Sequence, residues 1–245
     1  MIIKFFLIII ILGDIKGAQS YAPVNRSIKT AKFLEKQGNI DGSIAIYREI
    51  LNKNPNHKAS IRNLKNLFIG HRKYEEGIKF YKERLENKIN DHKDYADLGE
   101  FYYLNGQNSE ANKTWEIGMK KFIDNRTYYR SMFAVYSKYG LNKGVNLLLE
   151  IGRKRFGASF LTYESGAYYQ AIKAYDLAMD QFVLNLVHNS RQIGIIERRI
   201  LVMSDDENAL PIIEEKLVRA SRNYPTKTLD ILSQFYFKQQ KYEES

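Results

Sequence analysis

Histidine is the side chain best suited to bind a metal or move a proton near neutral pH, and this sequence has four: His57, His71, His92 and His188. No two of them lie three to five residues apart, and none sits in an H-E-x-x-H pattern, so no metal site is expected. The chain has no cysteine, which excludes thiolate zinc sites, disulfides, cysteine nucleophiles and a lipidated N-terminal cysteine. The carboxylate pairs Glu75-Glu76, Glu214-Glu215 and Asp205-Asp206 fall where helices start or turn, positions that suit the helix dipole and solvent better than paired acid-base catalysis. Neither G-x-G-x-x-G nor G-x-x-x-x-G-K occurs, so nothing marks a nucleotide site. Ser165-Gly166 lacks the preceding glycine and the strand-turn-helix context of a nucleophile elbow and reads as a packing pair. The sequons at Asn25, Asn112 and Asn125 matter only in a host that glycosylates. No catalytic residue and no cofactor is expected, and the chain reads as non-enzymatic.

Charge is the remaining chemical signal. The chain carries 38 Lys plus Arg against 28 Asp plus Glu, a formal +10, with basic clusters at Lys120-Lys121, Arg153-Lys154-Arg155 and Arg198-Arg199. Such a balance permits an acidic protein, an anionic polymer, nucleic acid or anionic lipid as partner. Clusters near helix ends also favour the C-terminal helix dipole, which is a structural reason for the same residues. The elements that carry them are helices. The chain is 44% hydrophobic, with 4 prolines and 15 glycines in 245 residues, enough apolar surface for a core and few breakers of long helices.

The first 20 residues read as a secretory signal peptide. Lys4 precedes the apolar run Phe5 to Gly13, and Ala18-Gln19-Ser20 supplies small residues before Tyr21. Removing them leaves 36 basic and 27 acidic residues, so the +9 excess belongs to the folded part. Export to a periplasmic or extracellular location is expected, with an uncleaved N-terminal anchor as the alternative; no later segment is apolar enough to span a membrane.

Beyond the leader the sequence repeats. Tyr47, Tyr81, Trp115 and Leu149 follow one another at intervals of 34, and Gly38, Gly106 and Gly140 keep the same register. Ser43, Gly77, Ala111 and Val145 fall four residues before the large residues, and Ile40, Tyr74, Asn108 and Asn142 seven before. Units starting at Val24, Lys58, His92 and Arg126 follow, with a fifth near Ser159 carrying Ser165-Gly166, Tyr169, Tyr175, Ala178 and Phe182. The spacing then slips: Ser190 to Ser204 and Asn208 to Arg222 predict a sixth helix pair around the Asp205-Asp206-Glu207 turn, and Thr228 to Gln240 a further helix. Pro211 suits a first helical turn, where no amide donor is lost.

The stretch from Lys36 to Tyr47, with Ile50-Leu51 and Asn54-Pro55-Asn56, and the set Leu98-Gly99, Tyr102, Gly106, Ala111 and Trp115 together resemble the tetratricopeptide repeat (TPR), a 34-residue helix-turn-helix unit. The resemblance implies an all-α, right-handed superhelical solenoid of antiparallel helix pairs. It divides the chain into a signal peptide at 1–20, five TPR-like helix pairs at 21–189, a divergent sixth pair at 190–225, and at 226–245 the first helix of a seventh repeat whose partner is cut off. In such a fold first helices line a concave groove. The positions that project there in the family are, in this sequence, Arg62, Asn66, Lys93, Glu100, Tyr103, Arg130, Lys138 and Tyr163. Arg62 and Asn66 resemble half of the carboxylate clamp by which some members hold a peptide C-terminus. Asp97, Thr127 and Ser131 depart from its other half, so a complete clamp is not expected.

These features predict an exported, non-catalytic scaffold for protein–protein interaction whose groove takes a peptide segment, acidic by preference, or a cell-envelope component. Two other readings remain: a basic solenoid that binds an anionic polymer, with nucleic acid disfavoured by export, and the recognition arm of an enzyme whose catalytic domain lies beyond residue 245.

Overall fold

A computed structural model of the chain describes residues 15–87 and 91–240. The expected signal segment lies outside the described residues as far as residue 14, as does the Tyr242-Glu243-Glu244-Ser245 end. The Ala18-Gln19-Ser20 stretch falls within the first helix.

The described residues form thirteen α-helices and no strand: α1 (Ile15–Lys36), α2 (Ile40–Lys53), α3 (Lys58–Gly70), α4 (Tyr74–Glu86), α5 (His92–Leu104), α6 (Asn108–Lys121), α7 (Arg126–Lys138), α8 (Asn142–Phe156), α9 (Thr162–Ala171), α10 (Tyr175–His188), α11 (Ile193–Met203), α12 (Leu210–Asn223) and α13 (Pro225–Lys238). A single 3-10 turn, Ser190–Gln192, leads into α11. They group into two compact units, one up to Lys120 and one from Lys121. No helix among the described residues is long and apolar enough to cross a membrane.

The 34-residue period is visible in the helix starts. Second helices open at Ile40, Tyr74, Asn108 and Asn142, and first helices at Lys58, His92 and Arg126. Local chemistry starts them: Asn39 Oδ1 accepts from the Gly42 amide at 2.9 Å, and Asn125 Oδ1 accepts from Thr127 and Tyr128, each satisfying helix donors that have no carbonyl within the helix. The periodic large residues Tyr47, Tyr81, Trp115, Leu149 and Phe182 are all buried, so the repeat in sequence is a repeat of core positions.

Within each of the first five hairpins the first helix ends on a left-handed residue, one amide reaching back five residues to close a Schellman turn. Gly38, Gly106 and Gly140 fill that position with φ of 76°, 76° and 64°. The corresponding positions of the second and fifth hairpins hold Arg72 and Lys173, at φ 55° and 59°, and Gln240 takes the same conformation after α13. The turn geometry is retained without glycine, because Lys73 N still bonds Phe68 O at 2.8 Å and Ala174 N bonds Tyr169 O at 2.8 Å. An L side chain at positive φ costs on the order of 1 kcal/mol. Arg72→Gly is therefore expected to raise the stability of the first unit by about 0.5–1 kcal/mol, read as a higher urea midpoint with an unchanged slope. A lower midpoint would show that the Arg72 side chain contributes more than its backbone costs.

The fifth and sixth hairpins differ from the expected boundaries. The expected start near Ser159 moves to Thr162, because Phe160 and Leu161 turn inward and are buried, with Leu161 left-handed at φ 58°. Phe160 packs its ring 4.8 Å from that of Phe156 and 6.1 Å from that of Tyr129, so α9 keeps only ten residues. Between α11 and α12 the short turn of the earlier hairpins is replaced by the longer segment 204–209, which explains the slipped spacing. Pro211 does sit in the first turn of α12, and Pro225 opens α13 three residues before the expected Thr228.

Candidate partner-binding surface

In the first unit the expected groove residues divide into exposed and buried sets. Arg62 and Asn66 lie one turn apart on α3 and are exposed, as is Lys93 at the start of α5. No side-chain ion pair holds Arg62 or Lys93 among the described residues. Glu100, expected to project into an open groove, is only 1% exposed. It accepts Lys65 Nζ at 2.6 Å, and the same ammonium also pairs with Asp97. Tyr103 is half-buried, its ring 6.3 Å from that of Trp115.

Lys65 thus ties α3 to α5 through two carboxylates. Burial alone would pull Lys65 down, but the charges of Asp97 and Glu100 outweigh it and hold the ammonium above its ordinary value. Burial pushes Asp97 up against the opposing effect of Lys65. Beneath this cluster, burial drives the Tyr81 hydroxyl well above its usual value, reinforced by the neighbouring Asp97. An ion pair this enclosed leaves few of its donors for a ligand. It fixes the spacing of the two helices that carry Arg62, Asn66 and Lys93.

The expected residues of the second unit are engaged with their own chain. Arg130 on α7 pairs with Glu164 on α9 at 3.5 Å. The Tyr163 hydroxyl accepts from Arg199 Nε and Nη2 at 3.3 and 3.2 Å, and the guanidinium also lies 5.1 Å from the Tyr163 ring centroid. Lys138 is exposed, with its Nζ 4.9 Å from the Tyr139 ring centroid. Of the eight expected residues, Arg62, Asn66 and Lys93 are therefore the ones most open to a partner.

The residues missed in the sequence follow a rule that the repeat itself supplies. Lys65 and Asp97 are 32 residues apart, Tyr163 and Arg199 are 36, Lys173 and Asp206 are 33, and Lys216 and Asp180 are 36. An offset of about one period places two side chains at equivalent positions on adjacent hairpins. Complementary polar residues about one period apart were the available signal.

No protein-family model matches the chain, and no curated protein matches it. Solved structures do. A tetratricopeptide repeat protein from Parabacteroides merdae is similar over 90% of this chain and 88% of its own, with 10% identity and a TM-score of 0.43. A TPR protein from Thermus thermophilus is similar over 89% of this chain and 99% of its own, with 13% identity and a TM-score of 0.31. In both comparisons the likeness is one of helix arrangement between very different sequences.

Proposed function

We propose that this chain is an exported, non-catalytic scaffold that binds a segment of a partner protein, acidic by preference, on the first-helix face of its first unit. The observation that carries the reading is the Lys65 tie between α3 and α5, which holds Arg62, Asn66 and Lys93 at fixed spacing while leaving their side chains exposed. A rigid pair of helices loses little conformational entropy on binding. Guanidinium and ammonium groups without intramolecular carboxylates can donate to a ligand's acidic groups at full strength. Export rests on Lys4, the apolar run Phe5 to Gly13 and the small residues before Tyr21; a secreted product beginning at Tyr21 would support it.

The binding test uses fluorescence polarisation with labelled dodecapeptides of matched length that are acidic, neutral or basic. The acidic set is expected to bind, and Arg62→Glu combined with Lys93→Glu is expected to weaken that binding about tenfold or more, with circular dichroism unchanged. Acidic peptides that bind the double variant as they bind the parent, or no better than basic ones, would remove this face from the reading. A labelled acidic polysaccharide titrated in parallel separates the two kinds of ligand: polymer that binds where no peptide does favours the anionic-polymer reading.

A further inference from the structure

Position seven of the second helices is inward-facing in most hairpins. It holds Ile46, Phe80, Thr114 and Leu148, and then Gln181 and Lys216. Phe80 and Leu148 are buried there. In α10 and α12 of the second unit the position is still about nine-tenths buried but polar, with Gln181 9% and Lys216 8% exposed. Burying an amide and an ammonium where Phe80 and Leu148 place hydrocarbon costs free energy unless each polar atom is satisfied.

They flank a cavity. An open-mouthed pocket of about 320 Å³ lies between α10 and α12, lined on one side by Val183, Leu184, Val187 and Ala220 and on the other by Asp180, Gln181, Lys216 and Arg219. Tyr224, 45% exposed, stands at its edge. The volume falls at the small end of the range for ligand sites, about 300–1,000 Å³.

The orientation of Gln181 follows from its neighbours. Its Oε1 accepts from Arg153 Nη2 and from Ser165 Oγ, and a guanidinium can only donate, so the amide oxygen must face Arg153. The NH2 end then has no hydrogen-bond partner among the described residues, in a side chain nine-tenths buried at the pocket wall. Arg219 adds further donors: its one ion pair among the described residues is a loose 3.9 Å contact to Asp180, a carboxylate that Lys216 already engages at 2.6 Å. Lys227 Nζ donates to Val187 O at the same end of α10. Asp180 also lines the pocket, but Lys216 engages its carboxylate along with that of Asp176, so the open donors above the apolar floor are the Gln181 amide and the Arg219 guanidinium.

We propose that this pocket is a binding site for a carboxylate carried on an apolar body of about one residue's size, with Gln181 Nε2 and Arg219 receiving the carboxylate and Val183, Leu184, Val187 and Ala220 receiving the hydrocarbon. The site is on second helices of the second unit and stands independently of the peptide-binding face on α3 and α5. A C-terminal leucine of a peptide and a free branched-chain or aryl-alkyl carboxylic acid share this chemistry.

The test titrates the full chain with 4-methylpentanoate, with its amide, and with a tetrapeptide ending in Leu as the free acid or the amide, following the Val and Leu methyl signals by NMR. The expected result is a saturable shift of the Val183, Leu184 and Val187 methyls with the acids and none with the amides. Arg219→Ala, a change at an exposed side chain, is expected to weaken binding about tenfold, whereas Arg62→Glu leaves it unchanged. Saturation by the peptide acid alone identifies a chain terminus as the ligand, and saturation by both acids identifies a general carboxylate site. Equal shifts with acid and amide, no shift at millimolar ligand, or an Arg219→Ala variant that binds as the parent does would each overturn the assignment.

Discussion

Gly99→Ala is expected to destabilise the first unit by about 3 kcal/mol, although it adds a single methyl group. Gly99 lies where α5 crosses α6, and a Cβ there would stand 2.1 Å from Trp115 Nε1 and 2.4 Å from Cδ1. The indole has nowhere to go: Trp115 is 2% exposed, and its Nε1 donates to Ala96 O at 3.2 Å. Relief of the clash means moving the ring out of its rotamer, breaking that hydrogen bond, or separating the helices, and close-packed interiors resist all three. Trp115 is the only tryptophan, so its fluorescence reports this site directly. The expected observation is a lower urea midpoint together with a red-shifted native emission. Gly70→Ala serves as the control, since no atom lies within 4 Å of a Cβ built at Gly70; it is expected to be neutral or stabilising by up to about 1 kcal/mol. Trp115→Leu in the Gly99→Ala background is expected to cost less than Trp115→Leu alone, because the larger residue and the added methyl compete for one space. A Gly99→Ala protein that unfolds at the parent's midpoint would show that the crossing is loose.

The second large effect concerns Arg84 and Asp94, the most deeply buried ion pair among the described residues. Arg84 Nε donates to Asp94 Oδ1 at 3.0 Å, and Nη1 donates to Pro55 O at 2.6 Å, so one side chain joins α4, α5 and the turn before α3. The pair is incompletely satisfied: Arg84 Nη2 and Asp94 Oδ2 are buried without partners. Burial therefore outweighs the guanidinium and pushes Asp94 up to about 6. A carboxyl held above its unfolded value binds its proton more tightly when folded, so its contribution to stability improves as pH falls through about 6 and worsens as pH rises through it. Arg84→Met removes the one group lowering Asp94 by direct contact and leaves a buried carboxylate alone. The expected cost is about 3–5 kcal/mol at pH 7.5, shrinking toward pH 5, where Asp94 is protonated in the variant. Arg84→Met combined with Asp94→Leu is expected to recover most of the loss, since replacing a buried pair with hydrocarbon is often nearly neutral. Denaturant titrations of the three proteins at pH 5 and 7.5 provide the check. A loss independent of pH would locate the effect in the Pro55 contact and the packing of Arg84 over Phe80 instead.

These two sites differ in how far the sequence foretold them. Trp115 is plain in the linear pattern, because a 34-residue period aligns it with Tyr47, Tyr81 and Leu149. Gly99 stands out with it through the spacing of Leu98-Gly99, Tyr102, Gly106 and Ala111, although the same period places Lys65 and Phe133 at its position. The helix starts at Ile40, Lys58, Tyr74, His92, Asn108, Arg126 and Asn142 were legible from the same period, with side-chain caps at Asn39, His57, Asp91 and Asn125 marking four of them. Arg84 and Asp94 carry no such mark. They read as an ordinary basic residue and an ordinary acidic one until α4 and α5 are packed together.

The periodic pattern by itself determined the all-α fold, the hairpin boundaries through α8 and the identity of the core positions, since all three depend on residues close in the chain or one repeat away. The non-glycine residues in left-handed turns, the shortened α9 and the long connection before α12 depend on which side chains the core draws in, so they emerged only with the packing. Tertiary structure also decided which of eight similar polar positions remain open. Glu100 and Asn66 occupy equivalent places in their repeats, yet Lys65 covers one with a salt bridge while the other stays in solvent. A helical period specifies the direction in which a side chain leaves its own helix; whether it meets water or an opposite charge depends on the residue that the neighbouring helix presents there.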